Sequence, residues 1–552
     1  MFPTNLSLET MDEVVLHAVA LDALEGPPSA LRSLCLTSRR LHSTLSVDAT
    51  PSLYSRLFQC KFDISAAARR LSPQAMEPAH LASELRSRFM ALKVIRAGDM
   101  DHPDVTEALL VAHVMLLEND GKNAAQLRWA RLGPFLDAYL ATRLHSTPVE
   151  ARGWPAESEA NSLVIALLAQ WMTQDDLISE TQDHRARVMS LLAPFSFAGF
   201  RYNFVPPNPA STAPMIDWQD VRTSTKDTVR QLPHFGSTVL LNLPSIARWA
   251  CLSYLARMQM YPLIPYDGLP LTRAERAESQ TTVEDMEEYN EACRTLSLLP
   301  QSSSLMETRE SSRMYDAEWA RTLSVGSGEP SAGLAPSPLA PYTLGCLTGD
   351  WRGTQVIPSG EQYTALQAED SHWTADSLVY LARQPVFCTL QENYRRKSGH
   401  QFSQRADDYD STDHVPVLSP RMQWTQEKGG VSVYDAKTSH KTQTGAQTKL
   451  GPPVDTLSDI SEIIVSGKTE ARHGAAWGAY TFKGTVRPSD GLVLLLREPE
   501  VGGNATNRGW FVGYVTAERT LVGKWNLCAS GSGAPPCEGI WNMCKKHAAP
   551  SG

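Results

Sequence analysis

Apolar residues in the first half of the chain recur at the spacing of α-helices. In residues 105–118, VTEALLVAHVMLLE, they cover nearly the whole circumference of a helix, between Pro103 and the stop signal Asn119-Asp120-Gly121. This pattern predicts a deeply buried helix. Helical spacing continues through residues 63–265, so we expect a helical domain over that range.

After Pro341 the period changes to the alternation typical of strands. Tyr480, Phe482 and Val486 would share one face of an extended segment, with polar side chains on the other. Eight strands are predicted, near residues 343–356, 385–394, 460–469, 478–487, 492–498, 508–516, 520–526 and 539–546. The last six follow in quick succession, which favours an antiparallel meander. Closure into a barrel over residues 342–549 would remove its exposed edges.

Two segments interrupt these patterns. Residues 266–341 begin with an acidic cluster between 284 and 291, typical of a solvated helix face, with a partner-binding patch as the alternative. They end in the Pro/Gly/Ser/Ala linker GSGEPSAGLAPSPLAP, which marks a domain boundary. Residues 396–456 are polar and poor in aliphatic side chains, so we expect a disordered insertion within the barrel.

Composition narrows the class of protein. The 552 residues contain 51 Lys and Arg against 60 Asp and Glu, a net charge of −9, which argues against a dedicated nucleic-acid binder. The first residues lack the charged and apolar regions of a secretory signal, and no apolar stretch of about 18 residues predicts a membrane span. We therefore expect an intracellular protein.

The cysteines do not point to a metal site. Nine scattered cysteines fit reduced thiols in an intracellular protein. Cys528, Cys537 and Cys544, followed by His547, lack the short spacing of a zinc knuckle. We expect no bound metal.

Residues 1–62 contain three short predicted helices. Leu6-Ser7-Leu8-Glu9 opens the first, which carries a continuous apolar stripe through Val14 and Val15. Residues 30–46 form the second and residues 51–58 the third. A unit this small cannot bury all its own apolar surface, so part of that surface should meet a partner or the next domain.

These residues resemble the F-box, the short adaptor that docks onto Skp1 in cullin-RING ubiquitin ligases. Leu6 and Glu9 match the family's Leu-Pro-x-Glu opening, while Ser7 and Ser38 replace a usual Pro and a usual Cys. The match continues through the apolar positions of all three helices. By similarity, the residues implied in Skp1 contact or its support are Leu6, Leu8, Glu9, Val14, Val15, Leu34 and Leu36.

Two segments of the predicted barrel carry candidate chemistry. Gly349-Asp-Trp351 begins the first strand and is similar to the lipocalin opening motif, in which the Trp plugs one barrel end against a late basic residue. This similarity implies a calycin-like barrel and makes Trp351 a substrate-binding candidate, with a simple core anchor as the alternative. Near a strand start, Arg472, His473, Trp477 and Tyr480 could form a rim that clamps a peptide terminus or acidic group. A hairpin loop with a solvated His is the alternative.

Nothing in the sequence predicts catalysis. A general base at His473 has no nucleophile at a recognisable spacing. The serine-hydrolase, metalloprotease, P-loop and dinucleotide fingerprints are missing, so we expect a non-enzymatic protein without a cofactor.

The order of F-box, helical segment and barrel resembles F-box proteins of the F-box only protein 31 type and a set of fungal F-box proteins. The resemblance implies an α+β protein with a three-helix F-box, a helical domain and an antiparallel eight-stranded β-barrel. It also implies a substrate-recognition subunit of an SCF (Skp1–cullin–F-box) ubiquitin ligase, whose partners are Skp1, the cullin scaffold and an unidentified protein substrate. A lipocalin-like carrier of an apolar small molecule and an F-box scaffold outside any ligase are the alternatives.

Overall fold

The computed structural model describes only part of the chain. The described residues are 29–146, 151–204, 229–276, 280–295, 298, 311–324, 339–368, 370–374, 377–378, 381–396, 422–427, 430–435, 441–443, 445–446, 460–488, 490–500, 508–517, 519–527 and 537–546.

Helices dominate the first two thirds of this structure. They are α1 (Ser29–Thr37), α2 (Arg39–Leu45), α3 (Pro51–Lys61), α4 (Ser65–Arg70), α5 (Pro78–Ala97), α6 (Val105–Leu117), α7 (Lys122–Trp129), α8 (Leu132–Thr142), α9 (Glu159–Trp171), α10 (Gln174–Ser179), α11 (Gln182–Phe197), α12 (Ile246–Met258), α13 (Val283–Thr295), α14 (Asp316–Ser324), α15 (Gly360–Gln367) and α16 (Ala471–Trp477). Short 3₁₀ turns lie at Pro73–Met76, Arg273–Glu275 and Ser311–Tyr315. The predicted buried helix is confirmed, since every residue of α6 from Ala108 to Leu117 is buried.

The strands belong to a hairpin, a barrel and a small inserted sheet. They are β1 (Val229–His234), β2 (Ser237–Asn242), β3 (Gly349–Pro358), β4 (Leu381–Arg396), β5 (Met422–Glu427), β6 (Gly430–Asp435), β7 (Lys441–Gln443), β8 (Gly445–Ala446), β9 (Ile460–Thr469), β10 (Tyr480–Val486), β11 (Leu492–Pro499), β12 (Gly509–Thr516), β13 (Thr520–Leu527) and β14 (Glu538–Lys545).

The hairpin β1–β2 is missing from the sequence-based prediction, which expected only helices there. Its two-residue turn, Phe235-Gly236, has positive φ at both positions, as tight hairpins require. The turn inserts into the helical core, where Phe235 packs edge-on against Phe58 of α3 at 5.6 Å. The hairpin therefore belongs to the helical domain.

The predicted eight-stranded antiparallel barrel is confirmed. Neighbouring strands pair in the order β3-β14-β13-β12-β11-β10-β9-β4, and pairing of β3 with β4 closes the ring. All pairs are antiparallel, with β8 added beside β4. On β10 the predicted alternation holds, because Tyr480, Phe482 and Val486 belong to the interior core. The observed strands match all eight predicted ones.

The barrel packs directly on the helices. Outward-facing Val356, Tyr514, Val522 and Ile540 belong to the same hydrophobic cluster as α3 to α12. At this boundary Lys524 Nζ lies 2.6 Å from a carboxylate oxygen of Glu538 and is nearly fully buried. The shared core fixes the barrel against the helical domain.

Part of the segment predicted to be an acidic helix and linker is buried in the protein. Asp285 on α13 is fully buried and accepts hydrogen bonds from Arg273, Arg276 and Thr282, so a solvated face is wrong for that residue. Glu287 is exposed, as the prediction requires. Trp319 of α14 is buried in the helical core. Most of the predicted linker, residues 326–338, lies outside the described residues.

The expectation of a disordered insertion over residues 396–456 is wrong in part. Strands β5, β6 and β7 form a three-stranded antiparallel sheet, and β8 pairs with β4. Backbone pairing between successive short segments supplies order that the polar composition does not indicate. The remaining residues of this range, apart from Arg396 in β4, lie outside the described part of the chain.

The second predicted helix, residues 30–46, is two helices. Ser38 separates α1 from α2 and caps α2, because its side-chain oxygen accepts from the Leu41 N–H at 3.2 Å. The third predicted helix is α3, which packs mainly against α5. The first lies outside the described residues, so a three-helix F-box remains a prediction. Within the described residues, no helix combines the length and apolar character needed to cross a membrane.

Candidate functional site

One end of the barrel holds a buried arginine among aromatic rings. Arg497 of β11 is 3% exposed. Its guanidinium carbon lies 4.3 Å from the ring centroid of Tyr480, 5.2 Å from Phe511 and 5.9 Å from Trp525. Rings at these distances stabilise a cation electrostatically. We name these four residues, together with Gln355, the Arg497 box.

The free polar atoms of the Arg497 box are hydrogen-bond donors. Arg497 Nη1 donates to Gln355 Oε1 at 2.8 Å. Arg497 Nε, Gln355 Nε2 and Trp525 Nε1 are buried and have no hydrogen-bond partner within the described structure. Buried polar groups are normally paired, because an unpaired donor loses its hydration without compensation. Three such donors in one box favour a ligand that supplies acceptors.

The positive charge of Arg497 also favours a ligand that supplies acceptors. Burial lowers the pKa of Arg497 to about 10, and Tyr480 opposes this shift. The guanidinium therefore still carries its charge at neutral pH. In the part of the chain that the structure describes, no carboxylate forms an ion pair with it. A buried cation without a counter-charge is costly, so the box should favour an anion.

Aromatic side chains fill the barrel interior beneath the Arg497 box. The Phe511 ring lies 6.2 Å from Phe482 and 5.0 Å from Trp541, and all three side chains are buried in the barrel interior. Trp541 occupies the space next to Gly513 and Gly523, where a Cβ atom would lie within about 3 Å of its ring. The rings fill the middle of the barrel, so a ligand would approach the box from the strand ends.

Trp351 lies at the opposite end of the barrel. It is fully buried, and its Nε1 donates to the Leu347 carbonyl at 2.7 Å. Its cross-strand partner is Lys545 of the last strand, whose Nζ donates to the Cys346 carbonyl at 2.9 Å. The backbone register thus pairs Trp351 with a basic residue of the last strand. The structure does not bring Trp351 together with the other predicted substrate-binding residues.

Arg472 and His473 lie on the outside of the barrel. The His473 ring stacks on Phe387 of β4 at 3.8 Å, and His473 is fully buried. Phe387 directly precedes the inward-facing Cys388 on β4, so its side chain points outward. Arg472 donates to Glu288 of α13 at 2.6 Å. The alternative of a solvated histidine is therefore wrong, and neither residue lines the Arg497 box.

His473 lacks the surroundings of a general base. Burial lowers its pKa to about 4, so the imidazole is neutral at physiological pH. Its Nε2 accepts from Arg472 Nε at 3.1 Å and lies near the carboxylates of Glu288 and Glu470. These contacts include no hydroxyl or thiol that it could activate.

Tyr480 belongs to the Arg497 box, while Trp477 ends α16, the short helix that joins β9 to β10. The Trp477 carbonyl accepts from Gln384 Nε2 at 3.0 Å. Gln384 is the cross-strand partner of Gln355. Of the predicted substrate-binding residues, Tyr480 contacts the buried cation.

The predicted Skp1-contact residues are only partly described. Leu6, Leu8, Glu9, Val14 and Val15 lie outside the described residues. Leu34 is partly buried against the helical core, whereas Leu36 on the same helix is 72% exposed.

Sequence reasoning missed Arg497, Gln355, Phe511 and Trp525. Arg497 follows Val493 and Leu495 at alternate positions, so the strand pattern places a charge on the inward face. A charged residue at such a position is the signal that could have found the box. Trp525 belongs to a second Gly-x-Trp, but its neighbours come from strands distant in sequence.

Among the described residues, no group of three or more His, Cys, Asp or Glu side chains is placed to hold a metal ion. Cys528 and His547 of the cysteine-rich end lie outside the described residues. Comparison of the chain with known protein families, with curated proteins and with solved structures finds no match.

Proposed function

We propose that this chain is a non-catalytic substrate-recognition subunit of an SCF ubiquitin ligase, whose barrel captures an acidic group of a protein substrate. The observation that carries the binding half is Arg497, a buried cation with unpaired donors around it. A carboxylate would supply both the missing charge and the missing acceptors. Binding would therefore be strongest for an acidic group that enters the barrel end.

The proposed mechanism is proximity. The N-terminal segment binds Skp1, which joins the chain to the cullin, and the barrel holds substrate near the charged ubiquitin carrier. Because the barrel shares one hydrophobic core with α2 and α3, the captured substrate has a defined position relative to those two helices. The rate gain then comes from effective concentration, without acid–base chemistry in this chain.

Leu36 supports the Skp1 half of the proposal. A leucine that is 72% exposed sits in an otherwise amphipathic helix within the segment that resembles the F-box. Leu34, two residues earlier and therefore on the opposite face of the helix, is partly buried against the helical core. The exposed side chain is available to a partner and its replacement should spare the fold.

The carrier alternative has less support. It requires a dry apolar pocket inside the barrel. Phe482, Phe511 and Trp541 occupy the middle of that interior, and the free atoms at the Arg497 end are polar. An apolar ligand there would leave the cation of Arg497 uncompensated.

Skp1 binding tests the proposal directly. Full-length protein and its Leu36→Asp variant are co-expressed with Skp1, and affinity is measured on the purified proteins. A charge at a buried contact should weaken binding by about tenfold or more. Ile178→Asp is the matched control, because Ile178 is an exposed apolar residue on α10, 62% exposed.

Binding of wild-type protein and of the Ile178→Asp control, with loss only in Leu36→Asp, supports the proposal. Absence of binding at micromolar concentration would refute the ligase function. If Skp1 binds but reconstitution with the cullin yields no ubiquitin transfer to any captured protein, the scaffold alternative replaces it.

A further inference from the structure

Helix α5 presents positively charged side chains to solvent along one face. The opposite face is buried, with side chains that recur at helical spacing: Leu81, Leu85, Arg88, Leu92 and Ile95. Arg86, Met90, Lys93 and Arg96 are spaced three or four residues apart and are all exposed. Because the buried face holds α5 in the core, the positions of these four residues on the surface are fixed.

The exposed face continues onto Trp129, the last residue of α7. The guanidinium carbon of Arg96 lies 4.4 Å from the centroid of the Trp129 ring, and Arg96 Nη1 donates to the Trp129 carbonyl. Trp129 is 41% exposed and Met90 is 57% exposed, so two large apolar side chains accompany the charges. We name Arg86, Met90, Lys93, Arg96 and Trp129 the α5 basic face.

The charges of the α5 basic face lack partners of opposite sign. Arg86 and Lys93 have no Asp or Glu three or four residues away on the helix, the positions from which an ion pair forms most easily. In the part of the chain that the structure describes, no carboxylate forms an ion pair with either residue or with Arg96. Exposed Arg143, in contrast, pairs with Asp101. In a chain of net charge −9, this face is a local excess of positive charge.

The residue types and dimensions of the α5 basic face fit a short acidic peptide. Trp, Met and Arg are enriched where proteins bind one another, and positive charge favours a partner of opposite sign. Arg86 and Arg96 are ten residues apart, so the face is about 15 Å long at 1.5 Å per residue. An extended peptide of about five residues covers that length.

Other polyanions fit this surface less well. A nucleic acid or an anionic membrane is large enough to meet the excess negative charge of the rest of the chain, which would repel it. A short peptide interacts mainly with charges within about 8 Å, the Debye length at physiological ionic strength. Membrane binding also requires a broad apolar face, whereas only Met90 and Trp129 supply apolar surface on the α5 basic face.

We propose that the α5 basic face is a docking site for a short acidic segment of a partner protein. The carboxylates of that segment pair with Arg86, Lys93 and Arg96, and an apolar side chain packs against Met90 and Trp129. This site lies on the helical domain, apart from the Arg497 box, and it does not depend on the proposed function.

Peptide binding to the full-length protein tests the docking site. The probe is the fluorescently labelled peptide Glu-Leu-Asp-Phe-Glu with both ends blocked, and its counterpart Gln-Leu-Asn-Phe-Gln carries no charge. Fluorescence anisotropy should show binding of the acidic peptide only, and added salt should weaken it.

Variants of exposed residues locate the contact without disturbing the core. Arg86→Gln combined with Lys93→Gln should weaken binding by about tenfold, the effect of losing two exposed ion pairs. Lys468→Gln combined with Lys546→Gln is the matched control, because it removes two exposed positive charges from the barrel. Binding should stay at the wild-type value in this control and in Arg497→Met. Met90→Gln should weaken binding by about threefold, since it removes apolar contact and leaves the charge unchanged.

Absence of binding to wild-type protein at about 1 mM peptide would overturn the docking site. So would an equal loss in the barrel control, or loss in Arg497→Met alone, which would place the peptide in the Arg497 box. Tighter binding of a single-stranded RNA or of phosphatidylserine vesicles than of the peptide would assign the face to another class of partner. None of these measurements involves Skp1, so failure of the docking site would leave the proposed function standing.

Discussion

Arg88 in the helical domain and Arg497 in the barrel are both buried, but only Arg88 is neutralised. Arg88 Nε lies 3.0 Å from Glu84, and its Nη2 lies 2.5 Å from Glu118. His234, at the tip of the hairpin, lies 2.9 Å from Glu118 and 3.4 Å from Glu84. Two buried cations thus face two buried carboxylates. We name these four residues the Arg88 cluster.

The other buried arginines are neutralised by carboxylates, as Arg88 is. Within the described structure, each lies within 4.0 Å of a carboxylate; they are Arg70, Arg185, Arg248, Arg257 and Arg321. Each of these buried arginines thus has a counter-charge and connects parts of the structure through an ion pair. Arg497 departs from that rule, at a barrel end where a ligand could complete the pairing. The difference separates a structural charge cluster from a candidate binding site.

The largest expected effect is loss of Arg88. Arg88→Met leaves Glu84 and Glu118 buried with His234 as their remaining cation, and breaking a buried pair costs about 3–5 kcal/mol. Urea unfolding should show this loss in the free energy of unfolding. Arg86→Met, at an exposed position of the same helix, should change it by less than about 0.5 kcal/mol. Equal values for both variants would contradict the structural role of the cluster.

A smaller effect is expected from pH. Burial lowers the pKa of His234, but Glu118 and Glu84 raise it overall to about 9, above its ordinary value of 6.5. The protonated ring is therefore favoured by folding. This stabilisation is complete below pH 6.5 and disappears as pH rises through 9.

Urea unfolding at pH 7 and pH 9.5 measures the stabilisation that protonated His234 contributes. Wild-type protein should lose more unfolding free energy between the two conditions than His234→Gln does. The difference should be on the order of 3 kcal/mol, from the size of the pKa shift. An identical loss in both proteins would mean that His234 is not the titrating group.

The smallest effect on stability is expected at Arg497. Arg497→Met removes a hydrogen bond and ring contacts but also a desolvated charge, so the unfolding free energy should change by no more than about 1 kcal/mol. Formate should raise the melting temperature of wild-type protein above that in chloride at equal ionic strength. This increase should be absent in the variant. A loss of stability as large as that of Arg88→Met would make Arg497 a structural residue.

Alternation of apolar and polar residues predicted the barrel strands well. The segment from Tyr480 to Val486 follows period two because one of its faces lies in the barrel core. LVLLLREP is instead apolar at five consecutive positions, because both faces of that strand are buried. The hairpin β1–β2 was missed, since Pro233 and the charged residues near it do not alternate. Its stability comes from Phe58 and the Arg88 cluster, which are distant in sequence.

The candidate site was predicted less well. Tyr480 was correctly placed on an inward face, because it begins a strand of clear alternation. Arg472 and His473 precede that strand in a helix, where period two gives no information on direction. The turn of α16 points them at Glu288 and Phe387, away from the barrel end.

The sequence by itself determined the helical first half, the eight barrel strands and the inward positions on them, because local periodicity reflects which face of each element is buried. Only the tertiary structure decided which charges meet. Arg88 lies close to Glu118 and His234, which belong to elements far along the chain. Arg497 contacts rings and an amide, and no carboxylate among the described residues. Counter-charges depend on how strands and helices pack across space, and periodicity does not encode that packing.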